Sequence, residues 1–104
     1  MKITTLLPLT DNDGKTFPAA RIDTILRSLA VQFNGGSTDG KVDGRSVDAG
    51  IEHHDESLRV TIVCAKDRLE ELRKRVIEIG RDLGQSSMYF EVRDYDGVQF
   101  LPTT

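Results

Sequence analysis

Apolar positions recur along this chain with two different periods, and the switches between them mark out its elements. From Lys2 to Leu9 the pattern alternates, with Ile3, Thr5, Leu7 and Leu9 on one face. Alternation of this kind marks a half-buried strand. The strand ends near Pro8, because proline has no N–H to give a ladder. A polar turn follows, Thr10-Asp11-Asn12-Asp13-Gly14-Lys15. Pro18 suits the first turn of a helix. Beyond it Ile22, Ile25, Leu26, Leu29 and Phe33 step by three and four, which predicts an amphipathic helix closed by Asn34-Gly35-Gly36.

No helical period runs through residues 37–64. Val42, Val47 and Ile51 lie among Gly40, Gly44 and Gly50, a spacing that predicts a bulged or irregular strand. Leu58, Val60, Ile62 and Cys64 alternate with Arg59, Thr61 and Val63 as a second half-buried strand. The polar run His53-His54-Asp55-Glu56 is read as the hairpin connection between the two. Leu69, Leu72, Val76, Ile79 and Leu83 then form a helical stripe. Asp67 is its expected cap, with Glu70 three residues on. Glu70 with Lys74 and Glu71 with Arg75 are expected surface pairs. Gly80 lies near the apolar stripe, which implies close packing against a neighbour. Gly84 ends the helix. Met88, Phe90 and Val92 alternate with Tyr89, Glu91 and Arg93 as another strand, and Asp96-Gly97 predicts a tight turn into a short strand at Val98 to Leu101.

The order is β-α-β-β-α-β with a small extra strand. It predicts an α+β fold, a ferredoxin-like two-layer sandwich: an antiparallel sheet in the order 4-1-3-2, with both helices on one face. The expected core contains Leu26, Leu29, Val60, Ile62, Leu72, Val76 and Phe90.

Composition narrows the function classes. The chain has 104 residues, 38% hydrophobic and 30% charged, enough for one domain spanning residues 1–104 and one core. Fourteen basic against seventeen acidic residues give a net charge of −3, which argues against a phosphate-tracking nucleic-acid surface. A single cysteine forms no internal disulfide. No signal-peptide pattern or spanning segment is read, so the cytoplasm is the expected compartment and no membrane partner is expected.

Several short motifs support the one-domain reading. Phe33-Asn34-Gly35-Gly36-Ser37-Thr38, Gly44-Arg45-Ser46, Asp55 ahead of the Val60 strand, and Gly84-Gln85-Ser86-Ser87-Met88-Tyr89-Phe90-Glu91 are the segments concerned. Together the chain resembles a family of small bacterial α/β proteins, a domain of unknown function with Phe-Gly-Gly-x-Thr and Gly-Gln-x-Ser type motifs. Ser46 stands where that pattern has tryptophan, and Leu83 where it has phenylalanine. The resemblance implies one domain and carries no activity.

Candidate chemistry is sparse. Gly14-Lys15-Thr16 looks like the end of a phosphate-binding loop, but Leu9 stands where its first glycine belongs and Asp11 and Asp13 repel phosphate. As a calcium loop the same segment puts Leu9 and Ala20 at ligand positions. His53 and His54 lack a second ligand cluster for a structural metal, so neither a metal nor a cofactor is expected. Cys64 ends an apolar strand and reads as core.

Threading gathers polar loops at one end of the domain: Asp11, Asn12, Asp13, Lys15, His53, His54, Asp55, Gln85, Ser86 and Ser87. Of these, Asp11, Asp13, Lys15, Gln85 and Ser86 are the candidate ligand-binding residues. The opposite end gathers Gly35, Gly36, Ser37, Thr38, Lys66 and Asp67. The open sheet face mixes Thr4, Leu6, Thr61, Val63 and Tyr89 with Arg59, Glu91 and Arg93. That mixture supports a binding or assembly module, in particular a homodimer. The alternative is a small enzyme or small-molecule binder with its site at the loop end or between subunits. A third reading, RNA on the open face, lacks the stacking aromatics it needs.

Overall fold

A computed structural model describes residues 1–94 and 99–103, the side chains of residues 46 and 48 excepted. It contains β1 (Lys2–Pro8), α1 (Ala19–Phe33), β2 (Ser37–Asp48), β3 (Ile51–Val63), a 3₁₀ turn (Lys66–Arg68), α2 (Leu69–Asp82) and β4 (Phe90–Arg93). The sheet order is β2-β3-β1-β4 and every pairing is antiparallel. The fold is thus the ferredoxin-like two-layer arrangement. It follows from the alternating strands and the two apolar helix stripes, which must cover the same sheet face to be buried.

Ile3 and Leu7 from β1, Val60 and Ile62 from β3, and Leu72, Val76 and Ile79 from α2 form the centre of the core with Leu29 and Phe33 of α1. Leu26 and Phe90 are only half-buried and pack at its margin. Cys64 is buried, and burial pushes its thiol pKa upward. It therefore serves as a small apolar residue. The close packing implied by Gly80 is present: a Cβ there would lie 2.6 Å from Met88 Cγ.

Several boundaries depart from the sequence reading. Pro18 occupies the N-cap of α1, just ahead of its first turn; at the other end α1 closes where expected, with Asn34 rather than a glycine taking the left-handed conformation. Asp67 does not cap α2, because the 3₁₀ turn absorbs it and the helix starts at Leu69 without a side-chain cap. Glu70 pairs with Arg73 and Glu71 with Arg68, three residues away in each case, in place of Lys74 and Arg75. Arg75 reaches Glu78 and the Ser28 hydroxyl. Residues 99–103 contain no strand, and the expected Asp96-Gly97 turn with Val98 lies outside the described residues.

The largest correction concerns the β2–β3 hairpin. His53, His54, Asp55 and Glu56 are not a connection but paired residues inside β3, opposite Ser46, Arg45, Gly44 and Asp43. The turn is Ala49-Gly50, where both residues have positive φ (52° and 78°), the pattern a tight two-residue hairpin requires. Beyond Ser57, the last β3 residue opposite β1, the hairpin runs on as an arm with no third strand beside it among the described residues. This arm contributes to the elongated outline of 54 × 28 × 24 Å. Apart from Val42 and the exposed Val47 and Ile51 the arm is polar on both faces, so residues 52–56 lack the apolar alternation by which a strand is recognised in sequence.

Candidate functional site

The expected polar loop end forms only in part. Asp11 Oδ1 accepts the backbone N–H groups of Asp13 and Lys15 at 2.9 and 2.8 Å. Its carboxylate is therefore engaged in holding its own turn, as short acidic side chains do. Asn12 Nδ2 donates to the Gly84 carbonyl at 3.0 Å, tying this turn to the α2–β4 connection. Asp11, Asn12, Asp55, Gln85 and Ser87 consequently line one small hollow of about 170 Å³. Ser86 instead lines a mostly apolar hollow against Gly80, Met88 and Phe90. Asp13 and Lys15 are exposed at the turn. His53 and His54 leave the group altogether, since they ride on the arm. His54 Nε2 meets Asp43 Oδ1 at 2.7 Å.

A wider concavity, about 520 Å³, lies on the open sheet face. It falls within the range of roughly 300–1,000 Å³ usual for small-molecule sites, whereas the loop-end hollow does not. Its floor is built by alternation: Ile3, Val60 and Ile62 face the helices, so Lys2, Thr4, Arg59 and Thr61 face the other way. Register then places Leu6 opposite Arg59, Thr4 opposite Thr61 and Glu91 opposite Thr4. Tyr89 and Arg93 complete one wall, and Asp39 stands at the other.

Asp39 owes its position to an irregularity in β2. The β2–β3 register shifts between Thr38 and Lys41, and Gly40 has a φ of 101°. Such a bulge re-aims the neighbouring side chain. The Asp39 carboxylate accepts hydrogen bonds from the Thr61 hydroxyl and, at 3.1 Å, from the Ser37 hydroxyl. The Thr61 hydrogen bond is the main reason its pKa is held below the usual carboxylate value, with Ser37, Lys2 and Arg59 acting in the same direction. A carboxylate held ionised in this way is a poor proton acceptor near neutrality. It is suited to balancing positive charge.

Glu91 meets Arg93 at 3.5 Å. Lys2 and Arg59 have no ion-pair partner among the described residues, so both remain available to an anionic group. The site therefore presents separated positive and negative points around the exposed Tyr89 ring. Arg59, Thr61, Tyr89, Glu91 and Arg93 were legible in the sequence as open-face residues, but Lys2 and Asp39 were not. For Asp39 the signal was the Asp39-Gly40 pair, a bulge marker in an otherwise unpatterned strand. Among the described residues no cluster of His, Cys, Asp and Glu is suited to hold a metal ion. None of the helices there is long and apolar enough to cross a membrane.

No protein-family profile and no curated protein matches this sequence. Solved structures do. A phage SAM lyase in its apo state is 18% identical, with 90% of each chain covered and a TM-score of 0.49. A phage SAM lyase in complex with S-methyl-5'-thioadenosine is 14% identical over 89% of this chain and 79% of that one, with a TM-score of 0.70. This second likeness establishes a shared fold: the chain has the two-layer architecture on which that lyase is built.

Proposed function

We propose that this chain is a small-molecule-binding protein of the enzyme class whose ligand is an adenosine thioether or sulfonium, bound on the open face of the sheet. The observation that carries the reading is the charge layout of the 520 Å³ concavity. Asp39 is an ionised carboxylate, Lys2 and Arg59 are cations without ion-pair partners among the described residues, and Tyr89 offers an exposed ring. SAM joins an adenosine to an amino-acid tail through a sulfonium. Such a ligand needs a flat apolar surface for its base, carboxylates for its sulfonium and ammonium charges, and basic groups for its carboxylate. Tyr89, then Asp39, then Lys2 with Arg59 match those needs in kind. The shared fold with the phage SAM lyase supports this choice of ligand class. The cytoplasm, and membership in the bacterial family that the Phe33 and Gly84 motifs resemble, belong to the same proposal.

The test is calorimetric titration with S-methyl-5'-thioadenosine and with SAM, together with mass-spectrometric monitoring of SAM over time. Binding to either ligand is expected, weakened at least tenfold by Asp39→Asn or Tyr89→Ala while the fold is retained. Binding that persists unchanged in both variants would move the site elsewhere. No binding of either ligand by the folded protein would overturn the ligand class.

A further inference from the structure

The two faces of the β2–β3 arm treat charge differently. On the face turned to the helix side, the charged residues are matched within the chain. Lys41 meets Glu56 at 3.4 Å, Arg45 meets Glu52 at 3.8 Å and His54 meets Asp43 at 2.7 Å. The opposite face continues the open face of the sheet through Arg59, Ser57, Asp55, His53 and Ile51. Along this strip neither Asp55 nor Arg59 has an ion-pair partner among the described residues. Ile51 is 62% exposed beside the turn. A two-stranded ribbon without further packing is marginal in water, so an arm of this length is expected to lie against something.

We propose that the arm lies across the open face of a second copy of this chain, in a two-fold arrangement whose axis passes over Ser57. The strip is self-complementary about that residue. With two β3 strands facing each other in opposite directions, residues equally distant from Ser57 meet. Asp55 of each copy then faces Arg59 of the other, His53 faces Thr61, and Ile51 faces Val63. Opposite charges meet twice and apolar side chains meet twice, as a two-fold interface demands of one surface patch. The row at the axis is small: Pro8 and Val42 lie opposite Ser57 on either side, which allows two sheets to approach to the ~10 Å usual for face packing.

The extent is sufficient. The 13 residues of β3 span roughly 43 Å, and a strip two strands wide is ~10 Å across. That is on the order of 400 Å² per copy in plan; side-chain relief and the flanking Leu6 and Thr4 raise it toward the ~600 Å² of a small specific interface. In this arrangement the arm of one copy lies over the concavity of the other, His53 of the second copy joins its wall, Asp55 of the second copy takes up Arg59, and Lys2 is the cation left to face a ligand. The association does not depend on the ligand reading, and its test involves no ligand.

The experiment measures mass by light scattering and sedimentation at micromolar protein. Wild-type protein is expected to be a dimer. Asp55→Arg and Arg59→Asp, each alone, place like charges opposite each other and should raise the dissociation constant at least tenfold. Mixing the two variants in equal amounts should restore a dimer, because one copy then presents two arginines and the other two aspartates along the facing strip. Ile51→Lys should also dissociate the wild-type dimer. Circular dichroism confirms that each variant is folded, and should either charge variant fail to fold, Ile51→Lys alone decides. A monomeric wild type, variants that associate as wild type does, or a mixture that stays monomeric would each overturn the proposal.

Discussion

Replacing Gly80 with alanine sets two known effects against each other at one buried position. In a helix interior the change from glycine to alanine is favourable by ~1 kcal/mol, because alanine loses less backbone entropy. Here the added Cβ would lie 2.6 Å from Met88 Cγ and 3.3 Å from its sulfur. Cγ is not the free end of the side chain, so Met88 cannot escape by swinging its terminal methyl. It must change rotamer, or the connection that precedes β4 must shift. Overpacking of this kind costs ~1–3 kcal/mol, which leaves a net destabilisation of ~0–2 kcal/mol after the helix gain is subtracted. The sharper measurement is a cycle with Met88→Ala, read by urea denaturation. In the Met88→Ala background the clash is absent, so Gly80→Ala should stabilise by up to ~1 kcal/mol. The same effect in both backgrounds would refute the reasoning, since it would mean that Met88 does not hold residue 80 to glycine.

Two further expectations follow from the packing and from the open face. Leu72 is fully buried, so Leu72→Ala should cost ~2–5 kcal/mol in the same denaturation assay, and a loss below ~1 kcal/mol would contradict its place at the core centre. Asp39 has a lowered pKa in the folded protein, led by the Thr61 hydrogen bond; its contribution to stability is therefore present above the ordinary carboxylate pKa and is lost as pH falls through the lower folded value. Thr61→Val should move the Asp39 titration, followed by carboxyl NMR, back up toward the ordinary range, and an unmoved titration would count against the hydrogen bond as the cause.

Where the sequence was legible, one face of each element was apolar. Ile22, Ile25, Leu29 and Phe33 in α1, or Val60 and Ile62 in β3, can face only the core, so their spacing determines both the element and its orientation. The strand order follows from right-handed crossovers and the split βαβ pattern once both helices cover one sheet face. The arm was legible only in part: its first strand was read as a bulged or irregular strand around Val42 and Val47, as observed, but the start of its second strand was taken for a connection. Lys41, Asp43 and Arg45 pair diagonally across the strands with Glu56, His54 and Glu52. A ribbon wet on both faces leaves no apolar alternation, only a run of charge that looks like a loop. The candidate site divides in the same way. Arg59, Thr61, Tyr89, Glu91 and Arg93 could be placed by alternation on strands that were already clear. Asp39 could not, because a bulge breaks the alternation at that point. The loop-end group of Asp11, Asp13, Lys15, Gln85 and Ser86 was drawn from threading alone. Threading brings loops to one end of the domain but does not say which side chains are already engaged by their own backbone, as Asp11 is.

The position of β1 has a consequence for the order in which the molecule assembles. β1 comes first in the described chain, yet it lies inside the sheet, between β3 and β4. The β2–β3 ribbon closes through a two-residue turn, and local hairpins form within microseconds. β1 must wait for β3, and its other edge must wait for β4, which pairs Lys2 with Arg93 from the far end of the chain. Contacts so distant in sequence form late, after the loop-closure entropy has been overcome. β4 is also the shortest strand, only four residues long, and as an edge it should be among the first to release its amides to exchange. Tyr89, Glu91 and Arg93 reach the open face on or beside this strand. The wall they build is thus expected to close late in folding and to open readily in the native state. A molecule that bridges it to Arg59 and Asp39 would act as a clasp on the edge of the sheet, and the slowed exchange of β4 amides would register its presence.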